Sequence, residues 1–241
     1  MRYAIFSDIH SNIRAFTAVL QVYKNKKIDK YYCLGDIVGY GVNPKQCIKL
    51  IKDNNIFSIA GNHDWAVSGR LSMEYFQDYA RVAVIWTQKN ISEEEKKFLD
   101  SLDILRREES FVLAHGTLYR PEEFHYMFDL YAVKKTFALM KCNLCFVGHT
   151  HCAEVFMEYN GKISYSVEPI IGIETDKKYI VNVGSVGQPR DSDPRASFCI
   201  YDTVKKEIEF CRVDYDWKTT SQEIINAGLP AFLANRLIEG K

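Results

Sequence analysis

The sequence predicts an α/β fold in which a two-sheet β-sandwich of mixed strands is flanked by helices. Three observations predict it. Over the first 150 residues, short β-type apolar runs alternate with segments of helical period, the order of βαβ units. Beyond residue 150, strand-like runs follow one another, and Asn160-Gly161 marks a two-residue hairpin. The chain has 241 residues, 47% of them hydrophobic, with no internal repeat, low-complexity stretch or Pro/Gly-rich linker to divide it. One domain over 1–241 is therefore expected, with a helical, aromatic-rich insertion around 65–105 and C-terminal helices from about 217.

Each element has a local reason. Tyr3–Ser7 reads as a strand. Ser11 or Asn12 can cap a helix over about Ile13–Tyr23, where Ile13, Phe16, Val19 and Leu20 recur at helical spacing. Tyr31–Leu34 is a second strand. Pro44 suits the first turn of a helix that Ile48, Leu50 and Ile51 continue. Ile56–Ala60 is a third strand. Two helices follow, over roughly Met73–Lys89 and Glu93–Leu102, the second opened by the capping box Ser92 and Glu95. Phe111–Ala114 is a strand, Leu130–Met140 a helix and Leu144–Val147 another strand. Val155–Tyr159 and Lys162–Ser166 flank the hairpin, and Tyr179–Val183, Ser197–Tyr201 and Glu207–Val213 complete the strand-rich half. The last 25 or so residues read as one or two helices, broken by Gly228 and Pro230.

Composition excludes several classes. Lys plus Arg equals Asp plus Glu at 31 each, so the net charge is zero, which disfavours long-range nucleic-acid binding. The longest apolar runs, such as Phe111–Ala114, are far shorter than the ~20 residues that span a bilayer, and no membrane association is expected. The opening run is too short for a signal-peptide core. The seven cysteines are an odd number and suit reduced thiols, so a cytoplasmic location is expected. Cys142 and Cys145 form a CxxC, but no second CxxC or βα context accompanies it, and the pair reads as small hydrophobes entering a strand.

The informative residues follow the apolar runs. Ala4-Ile5-Phe6 leads into Ser7-Asp8-Ile9-His10, and Tyr32-Cys33-Leu34 into Gly35-Asp36. Ser58-Ile59-Ala60 leads into Gly61-Asn62-His63-Asp64, Phe111–Ala114 into His115-Gly116, and Cys145-Phe146-Val147 into Gly148-His149-Thr150-His151. In open α/β sheets, ligands sit at the carboxyl ends of the strands. Five of the six histidines fall at these ends; only His125 does not. Imidazole with carboxylate suits Mn, Fe, Co, Ni or Zn better than Ca or Mg. Asp8, His10, Asp36, Asn62, His115, His149 and His151 are too many ligands for one ion and suit two divalent transition-metal ions sharing a carboxylate. Two such ions with Asp8 and Asp36 leave about +2, an excess that attracts phosphate and acidifies a shared water.

The five motifs, in this order, resemble the calcineurin-like metallophosphoesterase superfamily, which carries D-x-H, G-D, G-N-H-D, H-G and G-H-T-H. Asn182-Val183-Gly184-Ser185-Val186-Gly187-Gln188-Pro189-Arg190 is similar to the segment that closes the prokaryotic branch of small phosphodiesterases and phosphatases. The resemblance implies a β-sandwich with flanking helices, the metallophosphoesterase fold. It implies that Asp8, His10, Asp36 and His151 hold one metal and Asp36, Asn62, His115 and His149 the other, with Asp36 bridging. It also implies His63 as general acid, oriented by Asp64, and a metal-bridging hydroxide that attacks phosphorus in line. Two ions ~3.5–4 Å apart would clamp the phosphoryl oxygens, and a histidine is suited to the proton transfer. The Ser/Thr protein phosphatases of the superfamily carry G-D-x-V-D-R-G and G-N-H-E. Here Gly35-Asp36-Ile37-Val38-Gly39-Tyr40-Gly41 lacks the arginine, and the later motif ends in Asp64.

The expected function is a dinuclear metal-dependent phosphodiesterase or phosphatase acting on small organic or nucleotide phosphate esters. The alternatives are a non-catalytic scaffold of the same fold and a Ser/Thr protein phosphatase. Arg190 reads as a phosphate clamp or as a partner of Asp191 or Asp193. Aromatics follow the metal motifs, with Tyr40 just beyond Asp36. Leu118–Phe128, which has no clean period, reads as a loop. Tyr119 and Phe124 in that loop are expected to stack on a base or aryl group, which favours nucleotide-like diesters or dinucleoside polyphosphates.

Overall fold

The computed structural model describes residues 1–241. The chain runs β1 (Arg2–Phe6), α1 (Ile13–Lys24), β2 (Lys30–Cys33), α2 (Pro44–Asp53) and β3 (Phe57–Ser58). A helical stretch follows: α3 (Asn62–Ser68), α4 (Asp78–Asn90) and α5 (Glu93–Asp100). Then come β4 (Leu105–Arg107), β5 (Phe111–Ala114), α6 (Leu130–Leu139) and β6 (Leu144–Val147). The strand-rich half holds β7 (Ala153–Tyr159), β8 (Lys162–Ser166), β9 (Ile170–Gly172), β10 (Lys178–Val183), β11 (Ala196–Asp202) and β12 (Glu207–Val213). The helices α7 (Trp217–Asn226) and α8 (Ala231–Glu239) close the chain.

Two six-stranded sheets form, in the orders β3-β2-β1-β11-β12-β9 and β4-β5-β6-β10-β7-β8. Each is mixed, as expected. The βαβ crossovers make β1, β2 and β3 parallel, and likewise β5 and β6; β10, reached through β7–β9, also lies parallel to β6. The hairpin at Asn160-Gly161 joins β7 and β8 antiparallel, both turn residues taking positive φ. The inner faces meet through Ile5, Leu34, Phe111, Phe146, Val181 and Tyr201. Edge-to-face contacts such as Tyr3 on Phe111, with ring centroids 5.1 Å apart, lock the layers. Helices α1 and α2 cover the outer face of the first sheet with Phe16, Val19, Ile48 and Ile51, and α6 covers the second with Val133 and Phe137.

The start signals act where they were read. The Asn12 side chain accepts from Ala15 N at 3.1 Å to open α1, and the Ser92/Glu95 box is closed in both directions. Several boundaries differ. The helix expected from Met73 starts at Asp78, because residues 73–77 form turns. The third strand is paired over Phe57–Ser58 only, with Ile59 adding an isolated bridge to Asp103. Strands β4 and β9 were not expected: each has three residues at a sheet edge, and neighbours rather than pattern specify them. Cys145 is buried in β6, and all seven cysteines are free. No helix is long and apolar enough to cross a membrane.

Candidate metal centre

The five polar motifs leave the carboxyl ends of β1, β2, β3, β5 and β6. The first three strands belong to one sheet and the last two to the other, so the motifs meet where the two parallel sets end. Their backbone is unusual. Asp8, His10, Asp36, His149 and His151 all have positive φ, between 47° and 69°. For residues other than glycine this costs about 1–2 kcal/mol each. Hydrogen bonds between the motifs hold the strain: Asp8 N to Gly35 O at 3.0 Å, His10 N to Asp36 O at 2.9 Å, and Gly148 N to His115 O at 2.9 Å. Glycine is required where the motifs touch. A Cβ on Gly61 would strike Asp36 Oδ1, and one on Gly148 would strike Ser7 Oγ.

Each aspartate spends one oxygen on the scaffold and aims the other inward. Asp8 Oδ2 accepts from His149 N at 3.0 Å, and Asp36 Oδ1 accepts from His63 N at 2.9 Å. Asp36 Oδ2 then lies 3.6 Å from His10 Nε2 and 3.4 Å from His115 Nε2. Asp8 Oδ1 lies 3.2 Å from His151 Nε2. Three imidazoles are oriented by carbonyls: His10 Nδ1 faces Val38 O at 3.2 Å, His115 Nδ1 faces Leu34 O at 2.7 Å, and His151 Nδ1 faces Gln188 O at 2.6 Å. A carbonyl only accepts, so each Nδ1 carries a proton, and Nε2 of each ring that is neutral presents a lone pair.

That assignment tests whether a cation fits. His10 Nε2 and His151 Nε2 face each other at 3.0 Å, and His115 Nε2 faces His149 Nδ1 at 3.0 Å. The His10 and His151 lone pairs, so close beside the Asp8 and Asp36 oxygens, repel unless positive charge lies among them; the His115–His149 contact is a hydrogen bond from whichever ring carries the proton. Asp8 Oδ1, Asn62 Oδ1 and His149 Nε2 are also buried without a hydrogen-bond partner. Three groups bring their candidate ligand atoms within 4.8 Å of one another: Asp8, His10 and His151; Asp36, His115 and His149; and His10, Asp36 and His63. Asp36 links the first two sets through its contact with His10. The donor set fits divalent transition metals.

Charge follows burial and pairing. Burial pushes Asp8 and Asp36 up, but the neighbouring histidines outweigh it and hold both below the usual carboxylate range. Burial drives His10 and His149 well down, and His63 to about 4. His115 runs the other way: Asp36 and Asp8 overcome its burial and lift it to about 9. The protein thus keeps its carboxylates ionised and most of its imidazoles neutral, the states that metal ligands need.

The remaining expected residues are placed as follows. His63 packs edge-on to His10, with ring centroids 4.9 Å apart, and against Tyr40 at 4.5 Å and Phe76 at 5.2 Å; its Nδ1 has no partner. Asp64 does not bond to it. Its oxygens accept from Val38 N at 3.2 Å and Gly61 N at 3.0 Å, so it ties the motifs together and caps α3. Burial and the nearby Asp36 push Asp64 up to about 7. Tyr40 is buried at 4.4 Å from the His10 ring, and the Arg190 guanidinium lies 5.7 Å from the Tyr40 centroid. Arg190 pairs with neither nearby aspartate: Asp191 pairs with Arg212, and Asp193 with Arg195 at 2.7 Å.

A cavity of about 400 Å³ opens beside His63, Asn62 and His149. Phe124 lines it but is mostly buried against Trp65 and His115. Tyr119 lies outside it, stacked on His125 with centroids 6.1 Å apart. Tyr126 reaches the centre more closely than either, its ring stacked on His149 with centroids 3.8 Å apart. The same loop carries it, and the left-handed turns at Arg120 and Phe124 set its direction.

Comparison with known proteins agrees with this geometry. The family model of the calcineurin-like phosphoesterase superfamily domain matches residues 1–206. An uncharacterized protein of Methanocaldococcus jannaschii is 43% identical over 242 residues, covering 99% of this chain and 98% of its own. The crystal structure of a metallophosphoesterase from Sphaerobacter thermophilus superposes with a TM-score of 0.85 at 36% identity, covering 100% of this chain and 99% of that one. A hypothetical protein from Pyrococcus horikoshii OT3 shares the fold, with a TM-score of 0.81 at 20% identity, covering 100% and 98%. The match over most of the chain leaves no other assignment: the protein belongs to the calcineurin-like phosphoesterase superfamily and is a phosphoester hydrolase.

Proposed function

We propose that the protein is a dinuclear metal-dependent phosphodiesterase or phosphatase acting on small organic or nucleotide phosphate esters. The observation that carries this reading is the pair of buried histidine contacts at 3.0 Å, joined through Asp36. Asp8, His10, Asp36 and His151 would hold one ion, and Asp36, Asn62, His115 and His149 the second. When bound, such ions supply Lewis-acid charge to the phosphoryl oxygens and acidify water to a nucleophile at neutral pH.

The chain's own groups do the rest. His63 is the proton donor to the leaving oxygen. Burial keeps the free imidazole neutral, and an anionic phosphate beside it favours the imidazolium, so the ring takes up its proton as substrate binds. Tyr40 and Phe76 fix the plane of that ring. Asp64 acts on His63 through the backbone, by holding Gly61 and Val38. Arg190, free of any carboxylate partner, faces the phosphate with its guanidinium. The cavity beside His149 takes the organic group. Tyr126 and Phe124 line it, so an aryl group or base fits better than a small alkyl chain. Tyr119 would contact only a ligand that extends past the cavity. The free thiols suit the cytoplasm.

The test is turnover of p-nitrophenyl phosphate and of its bis-ester by protein loaded with Mn, Fe, Co, Ni or Zn. Metal-dependent release of p-nitrophenolate is expected, lost in Asp36→Ala, and the ratio of the two rates sets monoester against diester. Hydrolysis that survives Asp36→Ala with both metals absent would remove the reading.

A further inference from the structure

The loop between β5 and α6 stands between two cavities. His125 and Tyr126 line the one beside His63 and His149, and the same two side chains line a second of about 220 Å³. The second is completed by Thr117 and Tyr119 from the loop and by Tyr131 and Lys135 from α6. The Tyr126 ring stacks on His149 with centroids 3.8 Å apart, so this cavity begins one ring's thickness from a candidate metal ligand. Its volume is below the ~300–1,000 Å³ of a site that encloses a whole ligand, and suits one part of a larger one.

The charges of the loop are mostly spent locally. Arg120 and His125 both meet Glu123, at 2.9 Å and 2.7 Å. Asp129, which also lines the second cavity, accepts from Ala132 N at 2.9 Å and caps α6. The half-buried Lys135 has no carboxylate partner; its ammonium lies 5.3 Å from the centroids of both Tyr119 and Tyr131. Ring faces attract the charge but accept few of its three N–H donors. Tyr131 is 64% exposed, a large apolar face left to water beside those donors. Flat rings next to free donors suit a nucleobase, which offers a face to stack and carbonyl oxygens at its edge. An alkyl group would use neither.

We propose that this second cavity holds the base of a nucleoside esterified to the phosphate, and that Lys135 selects it. This rests on the phosphoesterase reading above and narrows it to phosphodiesters. A phosphate held at the His149 side of the centre has one cavity beside His63 and the other past Tyr126. A diester carries an organic group for each, whereas a monoester fills only one. The nucleoside sugar spans the Tyr126 edge, and the base lies against Tyr119 and Tyr131 with an edge carbonyl accepting from Lys135 Nζ.

The test compares two diesters with the same leaving group and charge, thymidine 5′-(p-nitrophenyl phosphate) and methyl p-nitrophenyl phosphate, as substrates of metal-loaded protein. The native chain should show kcat/KM at least ~10-fold higher for the thymidine ester, as expected for one stacked and hydrogen-bonded base. Lys135→Met and Tyr131→Leu should each remove most of that preference. A preference absent in the native chain, or surviving in both variants, overturns the subsite. Equal loss on both esters overturns it too, because that marks a structural role. Turnover of p-nitrophenyl phosphate with neither diester cleaved also overturns it and leaves the hydrolase reading standing. If no ester is cleaved, the hydrolase reading falls, and the intact thymidine diester becomes a calorimetric ligand. Affinity ~10-fold lower in Lys135→Met than in the native chain then upholds the subsite, and equal affinity overturns it.

Discussion

His63 and Glu154 show how burial sets the work of single residues. His63 touches the metal-centre rings without being needed to hold them, so His63→Ala should keep its metal. With a poor leaving group the rate should fall ~10²–10⁴-fold, the range of general acid catalysis. The loss should shrink for a p-nitrophenolate leaving group, which departs without help; an equal loss on both esters would exclude His63 as the acid. Glu154 lines a different cavity, with Asp191, Tyr165 and Cys152. Burial, then Asp191, push its carboxyl up to about 7. The folded state therefore holds its proton more tightly than the unfolded chain, whose glutamates titrate near about 4.3. Stability is full below that value and declines as pH rises toward 7. Glu154→Gln copies the protonated form. It should leave Tm nearly unchanged at about pH 4, below the unfolded value, and raise it at about pH 8 by roughly 2–4 °C, about 1 kcal/mol after allowance for solvent screening. A gain of the same size at both pH values would show that titration is not the cause.

Among the elements, α1 links folding to the site through one side chain. Asn12 Oδ1 caps the helix at Ala15 N, and Asn12 Nδ2 donates to Gly187 O at 2.9 Å, three residues before Arg190. Both bonds are buried. Asn12→Ala should cost about 2–3 kcal/mol, a cap plus an unsatisfied buried carbonyl. Asn12→Asp keeps the cap acceptor but loses the donor. If the 187–190 segment positions Arg190, both variants should raise KM for phosphate esters, and only the alanine variant should lose the cap. An aspartate variant with native KM would separate α1 from the site. The same scale explains what the sequence did and did not disclose. Asn12, the Ser92 box and Asn160-Gly161 are local signals, and the structure uses each of them. Helix α3 hid because its seven residues begin inside the Gly61-Asn62-His63-Asp64 motif and have no room for a period. Strands β4 and β9 hid because a three-residue edge strand is made by its neighbour. Tyr126 was missed at the site for a related reason. A loop with left-handed turns brings it there, and such turns leave no mark in residue spacing.

At the level of the whole molecule, the candidate ligands could be grouped from sequence because topology does the assembling. Parallel strands in two sheets all discharge their polar residues at one edge, so residues as distant as Asp8 and His151 needed only a position after an apolar run to be placed together. The consequence is a seam. Three motifs come from one sheet and two from the other, and the centre is the point where the layers are cross-linked by polar groups. Bound cations would join the inward carboxylates and the His10 and His151 nitrogens across the two sheet edges. Metal should therefore be a large part of the fold's stability. Protein purified without chelator should contain about two equivalents of transition metal per chain, and stripping them should lower Tm by roughly 8–16 °C, the equivalent of ~4 kcal/mol at thousandfold saturation. Hydrogen exchange should rise on stripping mainly in the 7–10, 35–38, 61–64 and 148–151 segments, while the inter-sheet core around Phe111 and Phe146 stays protected. One clean equivalent in active protein would make the centre mononuclear. An unchanged Tm after complete removal would mean that the sheets hold this edge together unaided.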